Sequence, residues 1–198
     1  MSQSTTHILD NPLDFPLNSS RLIEASAGTG KTYTIAALYV RLVIGHGTQD
    51  TAFERELVPK NILVMTFTKA ATEELSDRIR ARLAEAAAYF RDPDSVDIDP
   101  FLASLREDCV AKEQNLKHLA RLLDLASQSM DEAAVKTIHG WCQSMLKEHA
   151  FASGSLFSQD VETDNEELRL QAAEDYFRRF IYPANAELSA KLLEDFES

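Results

Sequence analysis

Apolar and polar residues follow one another along the chain in a pattern that switches between strand and helix periods. Three short apolar runs, at residues 21–25, 61–67 and 133–137, have the length and continuity of strands. Runs of this kind are typical of a parallel sheet, and the one at 61–67 is expected to be a buried strand. Between them apolar residues recur every three or four positions, which predicts helices. The order of these segments predicts an α/β fold in which helices flank a parallel sheet.

The first helix is expected to run from Lys31 to about Ile44, because a glycine-bounded turn follows it. His46 lies in that turn and is interpreted as a loop side chain rather than a ligand.

The second helix is expected to begin after Thr68, which has the hydroxyl of a good N-cap residue. Its opposite face should be polar, with Glu74 and Arg78 paired four residues apart and further positive charge from Arg80, Arg82 and Arg91. Its core positions, spaced by three or four residues, are predicted to be Ala71, Leu75, Ile79, Leu83, Ala86 and Phe90.

After an acidic, proline-bounded loop at residues 92–100, two helices between 101 and 126 are predicted to pack as a hairpin. Another helix should open at Ile138 and stop near Gly154. The chain therefore divides into residues 1–154 and a helical remainder, residues 155–198.

The remainder has a capping-box pattern at residues 163–166, and the helix after it shows one apolar face. That face consists of Ala172, Ala173, Tyr176, Phe177 and Phe180. A last amphipathic helix, with Leu188, Leu192 and Phe196, reaches the final residues, as expected for a chain cut from a longer one.

Composition narrows the class of protein. Hydrophobic residues make up 44% and charged residues 26%, as in soluble globular proteins. The net charge of −12 argues against a broad basic surface for nucleic acid, although it leaves room for a local basic groove. No apolar run approaches the roughly 20 residues of a membrane span, and no presequence is recognisable, so a cytoplasmic protein without membrane contact is expected. Cys109 and Cys142 have no metal-like spacing and are interpreted as reduced thiols.

One stretch predicts nucleotide binding, because it joins a predicted strand to a predicted helix and carries a Gly-Lys-Thr sequence. Backbone N–H groups at such a turn converge on phosphates, and Gly28 and Gly30 let the backbone come close. Lys31 would reach the β- and γ-phosphates and the Thr32 hydroxyl would ligate Mg²⁺. The predicted loop consists of Ala25, Ser26, Ala27, Gly28, Thr29, Gly30, Lys31 and Thr32. Ala25 replaces the usual first glycine, and the alternative is an ordinary turn rich in small residues.

A hydrolytic site of this kind also needs an acidic pair at the end of an apolar strand, to hold Mg²⁺ and polarise water. Asp131-Glu132 is an acidic pair, but the residues before it do not form an apolar strand. The chain is therefore expected to bind a nucleotide without turning it over efficiently.

Three segments in order resemble motifs I, Ia and Ib of the UvrD/Rep-like superfamily 1 DNA helicases. They are residues 24–32, residues 64–75 and residues 137–142, the last reading Thr-Ile-His-Gly-Trp-Cys. Within that family the sequences of these segments are most similar to those of the beta subunits of exodeoxyribonuclease V. The resemblance covers the chain from about residue 9 to the end.

The resemblance implies a RecA-like motor domain that is incomplete in this chain, with residues 155–198 beginning an inserted helical subdomain. It implies ATP and Mg²⁺ as cofactors, with Lys31 as the catalytic residue, in an enzyme that unwinds double-stranded DNA ends and carries a nuclease domain elsewhere. It also implies gamma and alpha partner subunits. By position, Phe67, Thr68, Thr137 and His139 would line the path of single-stranded DNA.

Some positions depart from the family pattern. Lys69 follows Thr68 directly and Ala70 occupies the usual lysine position, so the basic contact is either shifted or lost. No glutamine that could read adenine lies between Gln3 and the loop, which leaves adenine specificity open. Phe67 has the alternative of being a strand-end core residue, and Trp141 is interpreted as core.

Two other functions stay open. A small-molecule kinase would need a lid with clustered arginines, which is not recognisable, and it gives motifs Ia and Ib no role. A non-enzymatic module that docks to partner subunits is favoured by the acidic tail, where residues 160–198 hold 11 acidic and 4 basic side chains.

Overall fold

The computed structural model describes residues 9, 11–26, 28, 30–48, 50–53, 55–94, 99–150, 166–181 and 183. The chain forms two compact units, Met1–Leu146 and Lys147–Ser198. The sequence placed this division later, at residue 154, and the assignment of the two parts as domains stays a prediction.

A two-stranded parallel sheet lies in the first unit. Strand β1 (Leu63–Thr66) pairs with strand β2 (Ala134–Thr137) in a register that sets Leu63 opposite Ala134 and Thr66 opposite Thr137. Both strands confirm apolar runs of the sequence. The predicted strand at residues 21–25 is wrong, because this segment pairs with neither strand and its Leu22 side chain is 82% exposed. An apolar dipeptide predicts a strand only where a neighbouring strand completes the hydrogen-bond ladder.

The expected burial of residues 61–67 holds on one face of the sheet. Val64 and Val135 pack against the core, whereas Leu63 and Met65 are 42% and 51% exposed. Alternate residues of a strand point to opposite faces, so in the described part of the chain helices cover one face of β1 and leave the other open to solvent.

Helices α1 (Lys31–Val43) and α2 (Lys69–Arg91) form the centre of the core. The Thr68 hydroxyl caps α2 by accepting the Ala71 N–H at 3.2 Å, as the sequence predicted. Five of the six predicted core positions of α2 are buried, and Ala71 is exposed because it lies in the first turn.

Helices α3 (Pro100–Ala111) and α4 (Leu116–Gln128) begin at the caps Asp99 and Asn115, each of which accepts backbone N–H bonds. The predicted hairpin between them is wrong, because α4 packs mainly along α2. The faces that meet are the most apolar ones, with Leu119, Leu123 and Ala126 of α4 buried beside the core of α2.

Helix α5 (Ile138–Glu148) follows β2 directly and ends before the predicted stop near Gly154. None of its residues is fully buried, and Trp141, expected in the core, is half-buried.

The second unit contains helix α6 (Glu166–Tyr176), continued by a π-helical turn at Phe177–Ile181. Its predicted apolar face is mostly exposed, including Tyr176 and Phe180 at 57% each. The first three residues of the predicted capping box and the last predicted helix lie outside the described residues. Among the described helices, none combines the length and apolar character that a membrane crossing requires.

Candidate functional site

The loop before α1 contains two glycines with left-handed backbone. Gly28 and Gly30 have φ angles of 79° and 84°, in the left-handed region that glycine adopts readily. A Cβ at either position would meet nothing within 4 Å, so backbone conformation rather than space favours glycine here. Ala27 and Thr29 lie outside the described residues.

Helix α1 begins at Gly30, which provides no side-chain cap. No acidic residue lies in its first turn, so its N–H groups and the positive end of its dipole face the loop uncompensated by a side-chain cap. Lys31 Nζ lies 2.9 Å from the Ala25 carbonyl oxygen and 2.5 Å from that of Ser26, and it donates to both. These bonds fold the lysine back over the loop.

The donors around this loop fit a polyphosphate. Glycine backbone, an uncapped helix start and a lysine ammonium all supply positive potential at one place. The ligands for Mg²⁺ would be the Thr32 hydroxyl, phosphate oxygens and water, all of which Mg²⁺ commonly accepts. In the described ranges no group of three or more His, Cys, Asp or Glu side chains could hold a metal.

The carboxyl ends of β1 and β2 form a second cluster of predicted site residues. Thr66 and Thr137 are paired in register, and each strand leads into a helix that starts at this edge of the sheet. The Thr137 hydroxyl caps α5 by accepting the Gly140 N–H at 3.1 Å, as Thr68 caps α2. The predicted pairs Phe67–Thr68 and Thr137–His139 therefore lie at one edge of the sheet.

Phe67 is 88% exposed, so the alternative that it is a strand-end core residue is wrong. His139 is also exposed. Around them, the Thr66 and Thr72 hydroxyls lie 2.5 Å apart, and Thr72 donates to the Thr68 carbonyl at 3.0 Å. The edge therefore presents the Phe67 ring on a turn held by hydroxyl hydrogen bonds, and the His139 imidazole in the first turn of α5.

The model of the UvrD/REP helicase N-terminal domain family matches residues 9–196. The chain belongs to this family. Its α/β arrangement and its parallel strands are those of a partial P-loop NTPase fold, as the sequence predicted.

Among curated relatives, this helicase domain is 47% identical over 188 residues to the RecBCD enzyme subunit RecB of Escherichia coli (strain K12), which covers 94% of the chain. It is 42% identical over 183 residues to RecB of Haemophilus influenzae, and 36% identical over 145 residues to RecB of Mycolicibacterium smegmatis. These matches cover 89% and 73% of the chain. They confirm the resemblance to the beta subunits. The chain spans about 15% of the length of the E. coli relative.

Two buried charge clusters in this helicase domain were missed from the sequence. Arg82, predicted on the solvent face of α2, is 8% exposed and pairs with Asp99 at 2.7 Å and Glu85 at 2.8 Å. A signal existed, because residue 82 lies seven positions after the core residue Leu75, on the same helical stripe.

The second cluster contains His46, which was expected to be a loop side chain and is 4% exposed. Arg41 Nε donates to His46 Nδ1 at 3.0 Å, and His46 Nε2 lies 2.7 Å from an Asp108 carboxylate oxygen. Arg41 also donates to the carbonyls of Pro12 and Phe15. The cluster therefore joins the N-terminal segment, the end of α1 and α3.

Proposed function

We propose that this chain is the ATP-binding, N-terminal part of an ATP-dependent DNA helicase subunit that acts on DNA ends in recombinational repair. The observation that supports this most directly is the left-handed Gly28 and Gly30 backbone leading into the uncapped start of α1, with Lys31 over the loop. The family match supports the helicase part of the proposal.

At this loop each residue would have a separate task. Lys31 would exchange the Ala25 and Ser26 carbonyls for phosphate oxygens and neutralise charge on the transferred phosphoryl group. Thr32 would hold Mg²⁺, which supplies further neutralisation when bound. The uncapped N–H groups of α1 would orient the phosphate chain.

Motifs Ia and Ib would hold the tracking DNA strand. Phe67 would stack on a base, since its ring is almost fully in solvent. Thr68, Thr137 and His139 would contact phosphates from the starts of α2 and α5. Closure of a partner domain over the bound nucleotide would then move the protein along DNA.

The relatives are RecB subunits of a RecBCD enzyme. By extension, we assign the whole protein gamma and alpha partner subunits, exonuclease activity from a domain outside this chain, and a cytoplasmic location. The chain alone would bind nucleotide and hydrolyse it slowly, since Asp131, of the candidate acidic pair, instead pairs with Arg80 at 2.6 Å.

The test is nucleotide binding beside steady-state ATP hydrolysis, with and without single-stranded DNA. The wild-type chain should bind MgATP, Lys31→Ala should abolish binding, and turnover should not respond to DNA. Lys60→Ala, an exposed lysine before β1, controls for loss of charge.

Binding that survives Lys31→Ala would exclude a phosphate-binding loop and favour the alternative of a docking module for partner subunits. The open sheet face with Leu63 and Met65 is the observation behind that alternative. Turnover that requires Lys31 and is stimulated by DNA would show instead that the chain holds a complete hydrolytic site.

A further inference from the structure

The first turn of α1, residues 31–34, contributes little to the core, since complete burial along this helix begins at Ala36. The Lys31 ammonium donates to the loop carbonyls of Ala25 and Ser26. Tyr33 contacts another helix, because its hydroxyl donates to the Asp99 carboxylate, 3.0 Å from each oxygen. The turn that carries Lys31 and Thr32 is thus tied to a residue 66 positions away in sequence.

Asp99 is itself fixed on two sides. It caps α3 by accepting the N–H groups of Phe101 and Leu102 at 2.9 and 3.2 Å. It also accepts from Arg82 of α2 at 2.7 Å. The anchor of Tyr33 therefore belongs to both α2 and α3.

Arg82 fills the space between the aromatic rings of this cluster. Its guanidinium carbon lies 4.9 Å from the centre of the Tyr33 ring and 5.4 Å from that of Phe101, and the two rings meet edge to face at 6.5 Å. Its side chain is 9% exposed, so the guanidinium is largely desolvated, whereas Tyr33 stays 41% exposed. Tyr33 is held by its ring as well as by its hydroxyl.

The charge states of the cluster are consistent with this arrangement. Burial is the largest single influence on Asp99 and raises its pKa, but the hydrogen bonds from Arg82, Leu102 and Tyr33 and the charge of Arg82 together outweigh it and hold the pKa below the usual range. Burial and the bond to Asp99 raise the pKa of Tyr33. Near neutral pH a tyrosine hydroxyl therefore donates to an ionised carboxylate.

We propose that Tyr33, Arg82 and Asp99 are positioning residues for the phosphate-binding turn, which they hold in its binding conformation from outside the loop. This inference rests on the proposed nucleotide site. A helix start with a glycine cap has no side chain of its own to fix it, so an external anchor reduces the ordering cost of binding. A loosened first turn should therefore weaken the binding of phosphate groups and leave the binding of the nucleoside unchanged.

The variant Tyr33→Phe removes the hydroxyl and keeps the ring over Arg82. Tyr39→Phe is its matched control, because Tyr39 lies on the same helix and its hydroxyl donates to the Pro59 carbonyl at 3.5 Å, away from the phosphate-binding turn. With the full 198-residue chain, calorimetric titration would measure the binding of MgADP and of adenosine. Tyr33→Phe should weaken MgADP about three- to tenfold and leave adenosine unchanged, while Tyr39→Phe should change MgADP less than about twofold.

Asp99→Asn gives a second test, because asparagine still caps a helix while losing the charge that Tyr33 and Arg82 contact. Its loss of MgADP affinity should not add to that of Tyr33→Phe in the double variant. Thermal unfolding of each variant confirms that the comparison is made between folded proteins.

The positioning role would be overturned if Tyr33→Phe bound MgADP with wild-type affinity, or if Tyr33→Phe and Tyr39→Phe lost affinity equally. In either case Lys31→Ala would still abolish binding. A parallel loss of adenosine would also overturn the positioning role. If wild type and Lys31→Ala failed alike to bind MgADP, the proposed function would fail first and this inference with it.

Discussion

At the scale of single residues, His46 shows how burial fixes a protonation state. Because Arg41 Nε–H donates to Nδ1, that nitrogen holds a lone pair, and the ring proton lies on Nε2 towards Asp108. A second proton would lie against a guanidinium in a buried site. Burial lowers the pKa of His46, and Arg41 and Lys112 lower it further against the raising effect of Asp108.

His46→Ala should therefore reduce stability in a way that depends on pH. The folded state binds fewer protons than the unfolded state, whose imidazole titrates near 6.5, so the contribution of His46 is complete above that pH and declines below it. We expect His46→Ala to cost about 1–3 kcal/mol at pH 8 and clearly less at pH 5.5. Urea unfolding at both pH values measures the difference.

Asp108 stays ionised through this window, because the Lys112 hydrogen bond holds its pKa below the usual range. Asp14, on the N-terminal segment, acts on the network by favouring the charged form of Arg41. His118→Ala, on the exposed side of α4, is the control and should show no such dependence. A cost for His46→Ala that stayed constant or grew on acidification would contradict the assignment of a neutral imidazole.

Residues whose role depends on neighbours in sequence could be predicted. Thr68 as a cap and the glycines of the loop follow from local chemistry, and the structure has both where the sequence placed them. His46 could not, because its burial depends on Asp108, which comes 62 residues later. For Arg82 the helical stripe gave a signal, but its partner Asp99 comes 17 residues later and could not be assigned from local sequence. An arginine is expected in solvent until its partner is known.

At the scale of elements, α4 shows a sharp division between its two faces. Leu123 is fully buried against the core, whereas Leu125, two positions later, is 52% exposed. The same residue type thus occupies opposite faces of one helix.

Leu123→Ala should cost about 2–4 kcal/mol, because it removes buried methyl groups and leaves a cavity. Leu125→Ala should change stability by no more than about 0.5 kcal/mol. Chemical denaturation of both variants tests the packing of α4 along α2. Equal costs would show that α4 is oriented differently.

Helices were predicted better than strands in this chain for a physical reason. A helix satisfies its backbone within itself, so periodicity and caps locate α1 to α4 closely. A strand depends on a partner elsewhere, and residues 21–25 have none among the described strands. The prediction of a hairpin between α3 and α4 was wrong for a related reason, because α4 packs instead along α2, which has a longer apolar face.

At the scale of the whole molecule, a net charge of −12 opposes DNA binding everywhere except where local charge reverses it. One exposed cation lies at the carboxyl edge of the sheet. Lys69 is the first residue of α2, exposed beside Phe67, with no acidic residue in that turn. A lysine here opposes the helix dipole, and in the described part of the chain it has no ion-pair partner. Its position therefore favours the binding of an anion that is not part of this chain.

Lys69→Gln should therefore weaken binding of a single-stranded oligonucleotide and reduce its dependence on salt. Each phosphate neutralised contributes about 0.7 to the slope of log K against log salt concentration, so the variant should lose about that much. Lys60→Gln is the matched control, because Lys60 lies in the turn at Pro59–Asn61, at the opposite end of β1, and removes the same charge. Fluorescence anisotropy across a range of KCl concentrations measures both slopes.

Since the two variants have the same net charge, general repulsion acts on them equally, and a loss of slope confined to Lys69→Gln locates the DNA at the carboxyl edge. Equal slopes in the two variants would place the strand elsewhere, and Lys69→Arg should restore the wild-type slope if charge at this position is what the DNA contacts.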